Sequence, residues 1–195
     1  MFSIHARCAQ RTVIKAAILL IFISANDAMA QRTMKGQLFV GTEGMVSIVD
    51  PRDHGLSLEF GQYTLKGLWS CRCTSTSNRA KILSEHTLNY MDICGEGGYL
   101  YRIVASRNRQ FNLYGGGGVF IGYELYDPSG LLPSHIATEL PKSGQFLYGI
   151  TPRLEFEAFL SRKIGLSLGL SGPINFTSLV SMFRPRVSLG IRIDL

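Results

Sequence analysis

Polar and apolar residues alternate along most of this chain with a period of two. Between residues 111 and 126 the odd positions are Phe111, Leu113, Gly115, Gly117, Val119, Ile121, Tyr123 and Leu125, all apolar or glycine. The even positions, Asn112, Tyr114, Gly116, Gly118, Phe120, Gly122, Glu124 and Tyr126, carry the polar atoms. Such a segment is a β-strand whose two faces meet different environments. It is also longer than the roughly ten residues a tilted strand needs to cross a bilayer within a barrel.

The same pattern predicts seven further strands. Residues 37–49 alternate imperfectly. Residues 56–65 set Leu56, Leu58 and Phe60 against Ser57, Glu59, Gly61 and Tyr63. Residues 68–73 begin a third strand, and the polar, aperiodic residues 74–85 read as a loop. Residues 86–104 place Met91, Ile93, Gly95, Gly97, Tyr99, Tyr101 and Ile103 opposite Asp92, Cys94, Glu96, Gly98, Leu100 and Arg102. Residues 145–160 oppose Phe146, Tyr148, Ile150, Leu154 and Phe156 to Arg153, Glu155 and Glu157, and Pro152 within that run predicts a bulge. Residues 164–172 and 186–195 complete the set, the last with Val187, Leu189, Ile191, Ile193 and Leu195 opposite Arg186, Ser188, Gly190, Arg192 and Asp194.

The connections alternate in length. Tight turns near Lys66, Asn108 and Arg162 alternate with longer segments at 74–85, 127–144 and 172–182 and a shorter one at 51–54. An even strand number with short turns at one end and long loops at the other is the pattern of an outer-membrane barrel. The predicted fold is therefore all-β, an antiparallel up-and-down β-barrel of about eight strands. In a soluble barrel the apolar face points inward, and in a membrane barrel it points out. The polar faces here combine Gly and Ser with charges of both signs. Glu59, Asp92, Glu96, Arg102, Glu124, Arg153, Glu155, Glu157, Arg186 and Arg192 are predicted to form a lumen charge network filling a narrow interior. A soluble periplasmic ligand-binding β-barrel is the alternative that the same alternation allows.

Composition sharpens this reading. Charged residues are 17% of the 195-residue chain, below the roughly 25% of soluble domains, and glycines number 21. Residues 1–30 read as a cleaved secretory signal: Arg7, Arg11 and Lys15, an apolar run over 16–25, then Ala28-Met29-Ala30 before Gln31. Residues 31–195 are then one domain. The formal charge of +6 falls to +4 without that segment, and no basic stripe appears, so direct nucleic-acid binding is not expected. Export places the protein at the outer membrane of a Gram-negative bacterium, with outer-membrane lipid as its surroundings.

No motif carries enzymatic chemistry. Gly165-Leu166-Ser167-Leu168-Gly169 matches a nucleophile elbow, but Ser167 lies within an alternating strand and no histidine follows it. The glycines at 115–118 lack the Lys-Ser/Thr of a phosphate loop. Glu155 and Glu157 as a catalytic pair lose to lumen acids facing Arg153 or Arg186. His54, His86 and His135 have no ligand spacing. Cys71, Cys73 and Cys94 form no complete disulfide or zinc framework, although Cys94 meets Cys71 or Cys73 if their strands are neighbours. No cofactor is expected.

Three stretches resemble the TraO family of Bacteroides-type conjugative transposons. These are Gln31-Arg32 with Lys35-Gly36; Glu96-Gly97-Gly98-Tyr99 before a glycine-rich strand; and Phe146-Leu147-Tyr148-Gly149 followed by Leu154-Glu155-Phe156-Glu157-Ala158-Phe159-Leu160. The order and spacing extend over nearly the whole of residues 31–195. Pro152 and the segment 72–82 depart from the pattern. The resemblance implies a non-enzymatic part of a conjugative DNA-transfer apparatus, in an anchoring or assembly role, with other apparatus proteins as partners.

Overall fold

Strands β1 (Leu38–Ser47), β2 (His54–Tyr63), β3 (Gly67–Lys81), β4 (Thr87–Ala105), β5 (Phe111–Asp127), β6 (Gln145–Phe159), β7 (Ile164–Ser171), β8 (Ile174–Asn175) and β9 (Arg186–Asp194) make up the computed structural model. It describes residues 35–81, 87–106, 110–127, 144–178 and 180–195. The signal-peptide expectation for residues 1–30, the turn at 107–109, His86, His135 and most of the 127–144 connection lie outside the described residues.

Each long strand pairs antiparallel with its neighbour, and β1 pairs with β9 to close the sheet into an eight-stranded barrel. The two-residue β8 adds a short rung beside β6. Alternation is strict because one wall has two surroundings. β1 reads exposed-buried along its length, with Phe39, Glu43 and Met45 inward and Leu38, Val40 and Val46 outward. Val119, Ile121, Leu168, Leu189 and Ile193 likewise face out, whereas Glu59, Glu155, Glu157 and Arg192 are fully buried. A water-soluble barrel would have the opposite polarity.

Aromatic side chains flank the apolar outer surface. Towards the short-turn end Trp69 lies 4.7 Å from Tyr99 between ring centroids, and Phe111 stacks on Phe156 at 5.9 Å. Towards the other end Phe146, Tyr148 and Phe176 form a second group. Phe146 and Phe156 are ten residues apart on β6. At about 3.3 Å per residue and a tilt near 40°, that spacing gives an apolar band about 25 Å tall.

Two sequence expectations fail for physical reasons. Residues 74–81 are not loop: β3 continues to Lys81, pairing with β4 throughout. Thr74, Thr76 and Asn78 point inward, while Ser77 and Arg79 are exposed. Residues 74–77 still pair with β2 and only 78–81 rise beyond it; polar side chains on both faces of 74–79 leave no polarity period. Nor does Pro152 create a bulge; β6 keeps one register with β5 through Gly117–Pro152. Its carbonyl accepts from Gly172 N at 3.1 Å, so its ring nitrogen faces the same side, just past the last β6–β7 pair, Arg153–Ser171. The missing donor therefore falls where the ladder passes from β7 to β8. The one break in register between β4 and β5 is at Arg102/Val104.

The glycines of β4 and β5 bring the two backbones together. A Cβ on Gly118 would lie 2.5 Å from the carbonyl oxygen of Gly97, whereas one on Gly97 would meet nothing within 4 Å. Gly118→Val is expected to cost about 1–3 kcal/mol by overpacking against backbone. Gly97→Ala should stay within about 0.5 kcal/mol. Urea titration in detergent checks the pair, and equal effects would refute the close-approach explanation.

Candidate functional site: the lumen and its outer mouth

The interior is built in three tiers. At the short-turn end Phe39, Tyr63, Leu68, Leu100, Tyr114 and Phe159 form an apolar plug. This explains Leu100 on an otherwise polar face.

Above the plug lies a continuous ion-pair network. Arg153 Nη1 donates to Glu59 at 2.9 Å, and its Nη2 reaches Glu43 at 2.6 Å and Glu155 at 2.5 Å. Arg192 bonds Glu59 through Nη2 at 2.6 Å and Nε at 3.0 Å, Glu157 through Nη1 at 3.2 Å, and also Glu155. Arg72 bridges Glu43 at 3.1 Å and Glu96 at 2.8 Å. The hydroxyls of Tyr63 and Tyr114 donate to Glu157 at 2.5 and 3.0 Å, and Asn112 joins them at 3.4 Å. Every long strand except β7 contributes a group. Buried acids are tolerable only when paired. Glu43, Glu59, Glu96 and Glu157 are both ion-paired and hydrogen-bonded, whereas Glu155 lies between Arg153 and Arg192 as an ion pair without a hydrogen bond.

The third tier sits at the opposite end. Arg184 Nη1 meets Asp92 at 2.5 Å and its Nη2 meets Glu124 at 2.6 Å, while its guanidinium lies over the Tyr90 ring. Arg186 is 3.6 Å from Asp92. Tyr126 and Ser178 donate to Glu124 at 2.5 and 3.1 Å. Residues 172–178 and 180–185 thus fold back over the mouth, held by the Ile174–Phe183 bridge and by Arg184.

Among the sequence-predicted charges, Glu59, Glu96, Arg153, Glu155, Glu157 and Arg192 meet in the middle tier, and Asp92, Glu124 and Arg186 in the outer one. Arg102 stands apart, a correction to its lumen placement. It is half-exposed beside the register shift and donates to the carbonyl of Leu65 at 2.7 Å. Sequence reasoning missed Glu43, Arg72 and Arg184. Glu43 shares parity with Phe39 and Met45, which was a usable signal; Arg72 is hidden between two cysteines, and Arg184 lies outside any strand.

What this arrangement can do is limited by its filling. Glu43, Glu59 and Glu155 bring carboxylate oxygens within 4.8 Å of one another, as a metal site would. The cation that gathers them is the Arg153 guanidinium, already bonded to all three. Between the middle and outer tiers a cavity of about 30 Å³, lined by Arg72, Asp92, Glu96 and Thr151 together with Met45 and Phe120, has room for about one water molecule. Ser167 is buried in mid-strand without a hydrogen-bond partner in the described structure, the wrong setting for a nucleophile elbow. Cys71 and Cys73 are exposed on the outer face while Cys94 is half-buried, and all three are free; adjacent strands do not bring them into a disulfide. In the loop between β1 and β2, burial raises the carboxyl pKa of Asp53, opposed by the Arg79 backbone N–H, whereas bonding to Arg52 lowers that of Asp50.

Closed eight-stranded antiparallel wall, apolar exterior and ion-paired interior together define a β-barrel of the outer-membrane type. Residues 36–195 match the family model described as conjugative transposon protein TraO, and the chain belongs to that family. Among solved structures it is similar to the outer membrane protein OprG of Pseudomonas aeruginosa, at 14% identity and TM-score 0.60, covering 87% of this chain and 99% of that one. The attachment invasion locus protein Ail of Yersinia pestis aligns at 12% identity and TM-score 0.50, over 83% of this chain and 100% of Ail. Its backbone structure in a phospholipid bilayer nanodisc aligns at 11% identity and TM-score 0.50, with the same coverage. At such identities these likenesses establish the fold alone. No curated protein matches the sequence.

Proposed function

We propose that this protein is a non-enzymatic outer-membrane component of the apparatus that moves a conjugative transposon between cells, acting in anchoring or assembly. The observation that carries the reading is the combination of an apolar band on the outside with a lumen occupied by its own ion pairs. Such a wall suits lipid, and such an interior does not suit passage of a DNA strand. Family membership supports the link to transfer. On this reading, residues 1–30 direct export, lipid surrounds the barrel, and partners from the apparatus contact its loops and turns. Nucleic acid is not bound directly, since the sequence carries no basic stripe.

Deletion in a donor strain is expected to abolish transposon transfer while leaving excision unchanged, measured by mating frequency and by junction amplification. Unchanged transfer would remove the role. Detergent-extracted outer membrane is where the protein should fractionate, with heat-modifiable gel mobility. Recovery as a soluble exported protein would remove the membrane reading.

A further inference from the structure

The outer mouth holds a cleft of about 440 Å³ that the lumen network does not consume. Arg184 and Arg186 form its floor, and Asp50, Arg52, Asp53 and Arg79 stand around its entrance. The carboxylates near it each accept at least one hydrogen bond. Asp50 accepts from Arg52 with both oxygens, at 3.1 and 3.0 Å. Asp53 accepts the backbone N–H of Arg79 at 2.9 Å. Asp92 Oδ2 and Glu124 Oε2 take the two ends of Arg184, while Asp92 Oδ1 is buried without a partner among the described residues.

Arg186 is the exception. Its Nη2 has only long contacts, 3.4 Å to Thr76 and 3.6 Å to Asp92. Its Nε and Nη1 donate to no group among the described residues, and neither is a sealed, waterless atom. The side chain is 11% exposed, so it is a largely dehydrated cation with spare donors. The Arg79 guanidinium also has no acceptor among the described residues. A guanidinium offers five donors in a planar fork, which suits the paired oxygens of an oxyanion. Among the described residues, the cleft therefore holds spare guanidinium donors at Arg186 and Arg79.

We propose that this cleft binds a phosphate-bearing ligand group, seated on Arg186 and steadied at the rim by Arg79. The group belongs either to a soluble phosphate compound or to a lipid headgroup, since the cleft lies at the loop end of the apolar band.

The test is titration of pyrophosphate at fixed ionic strength into the refolded protein in phosphatidylcholine nanodiscs, read by calorimetry. Saturable binding is expected, weakened tenfold or more in Arg186→Gln and threefold or more in Arg79→Gln. Arg102→Gln, at the opposite rim, should bind like the wild type. Discs containing phosphatidic acid identify the source: lowered apparent affinity for pyrophosphate means that headgroups reach the cleft, and unchanged affinity means a soluble ligand. Absence of saturable binding, or equal weakening by Arg102→Gln, would overturn the proposal. Arg79→Gln carries the test if Arg186→Gln fails to regain heat-modifiable mobility.

Discussion

Replacing Arg192 by leucine is expected to cost about 3–5 kcal/mol of barrel stability, the penalty for breaking a buried ion pair from one side. Arg192 is completely buried, and Phe39 packs against its guanidinium at 4.7 Å from the ring centroid. Its removal leaves Glu157 with no cation, only the hydroxyls of Tyr63 and Tyr114 and the amide of Asn112. Glu59 and Glu155 would both depend on Arg153, which already serves Glu43. Arg192→Lys keeps the charge but not the fork that reaches three acids, so an intermediate loss is expected. Salt should not rescue either variant, because buried pairs are poorly screened. Arg52→Gln, which breaks the exposed pair with Asp50, should leave stability unchanged. Urea titration in lipid vesicles, followed by heat-modifiable mobility, reads all three. An Arg192→Leu barrel within about 1 kcal/mol of the wild type would show that the network does not hold the wall together.

Strands such as β5 and β9 are legible in sequence because every outward position is apolar or glycine while polar atoms cluster on the other parity. Legibility ends where polar side chains occupy both faces of a strand. In β3, Ser75 and Ser77 on one face and Thr74 and Thr76 on the other give no contrast, although the hydrogen-bonded ladder with β4 continues. Pro152 misleads for a different reason: whether a lost donor matters depends on which strand lies alongside, and that is decided by where β7 ends. The charge network is half legible. Parity identifies inward charges on strands, including Glu43, but not how they are shared. Arg184 gives no local signal at all, since its place in the lumen follows from residues 180–185 folding over the mouth. Arg102 shows the converse, a charge of inward parity diverted at a register shift to a backbone carbonyl.

Leu189→Arg is expected to destabilise the protein by about 2–4 kcal/mol in a bilayer, and this result separates a membrane wall from a soluble one. Leu189 is near the middle of β9, pairs with Gly44 on β1 and Leu168 on β7, and is 57% exposed on the outer surface. An outer position in water would tolerate arginine to within about 0.5 kcal/mol. Depth supplies a second signature. Ile193, outward on the same strand but close to its short-turn end, should lose only about 0–1 kcal/mol as arginine, because the side chain reaches the interface. Ser188, one residue away, is buried, and its hydroxyl would lie 2.4 Å from a Cβ on Gly169. Ser188→Arg should therefore also destabilise, by about 1–3 kcal/mol through overpacking, but without the depth gradient. Denaturant titration in vesicles measures the series. If Leu189→Arg is neutral while Ser188→Arg is not, the outer face meets water and the membrane reading fails; if the cost falls from Leu189 to Ile193, only a hydrocarbon layer centred near Leu189 accounts for it.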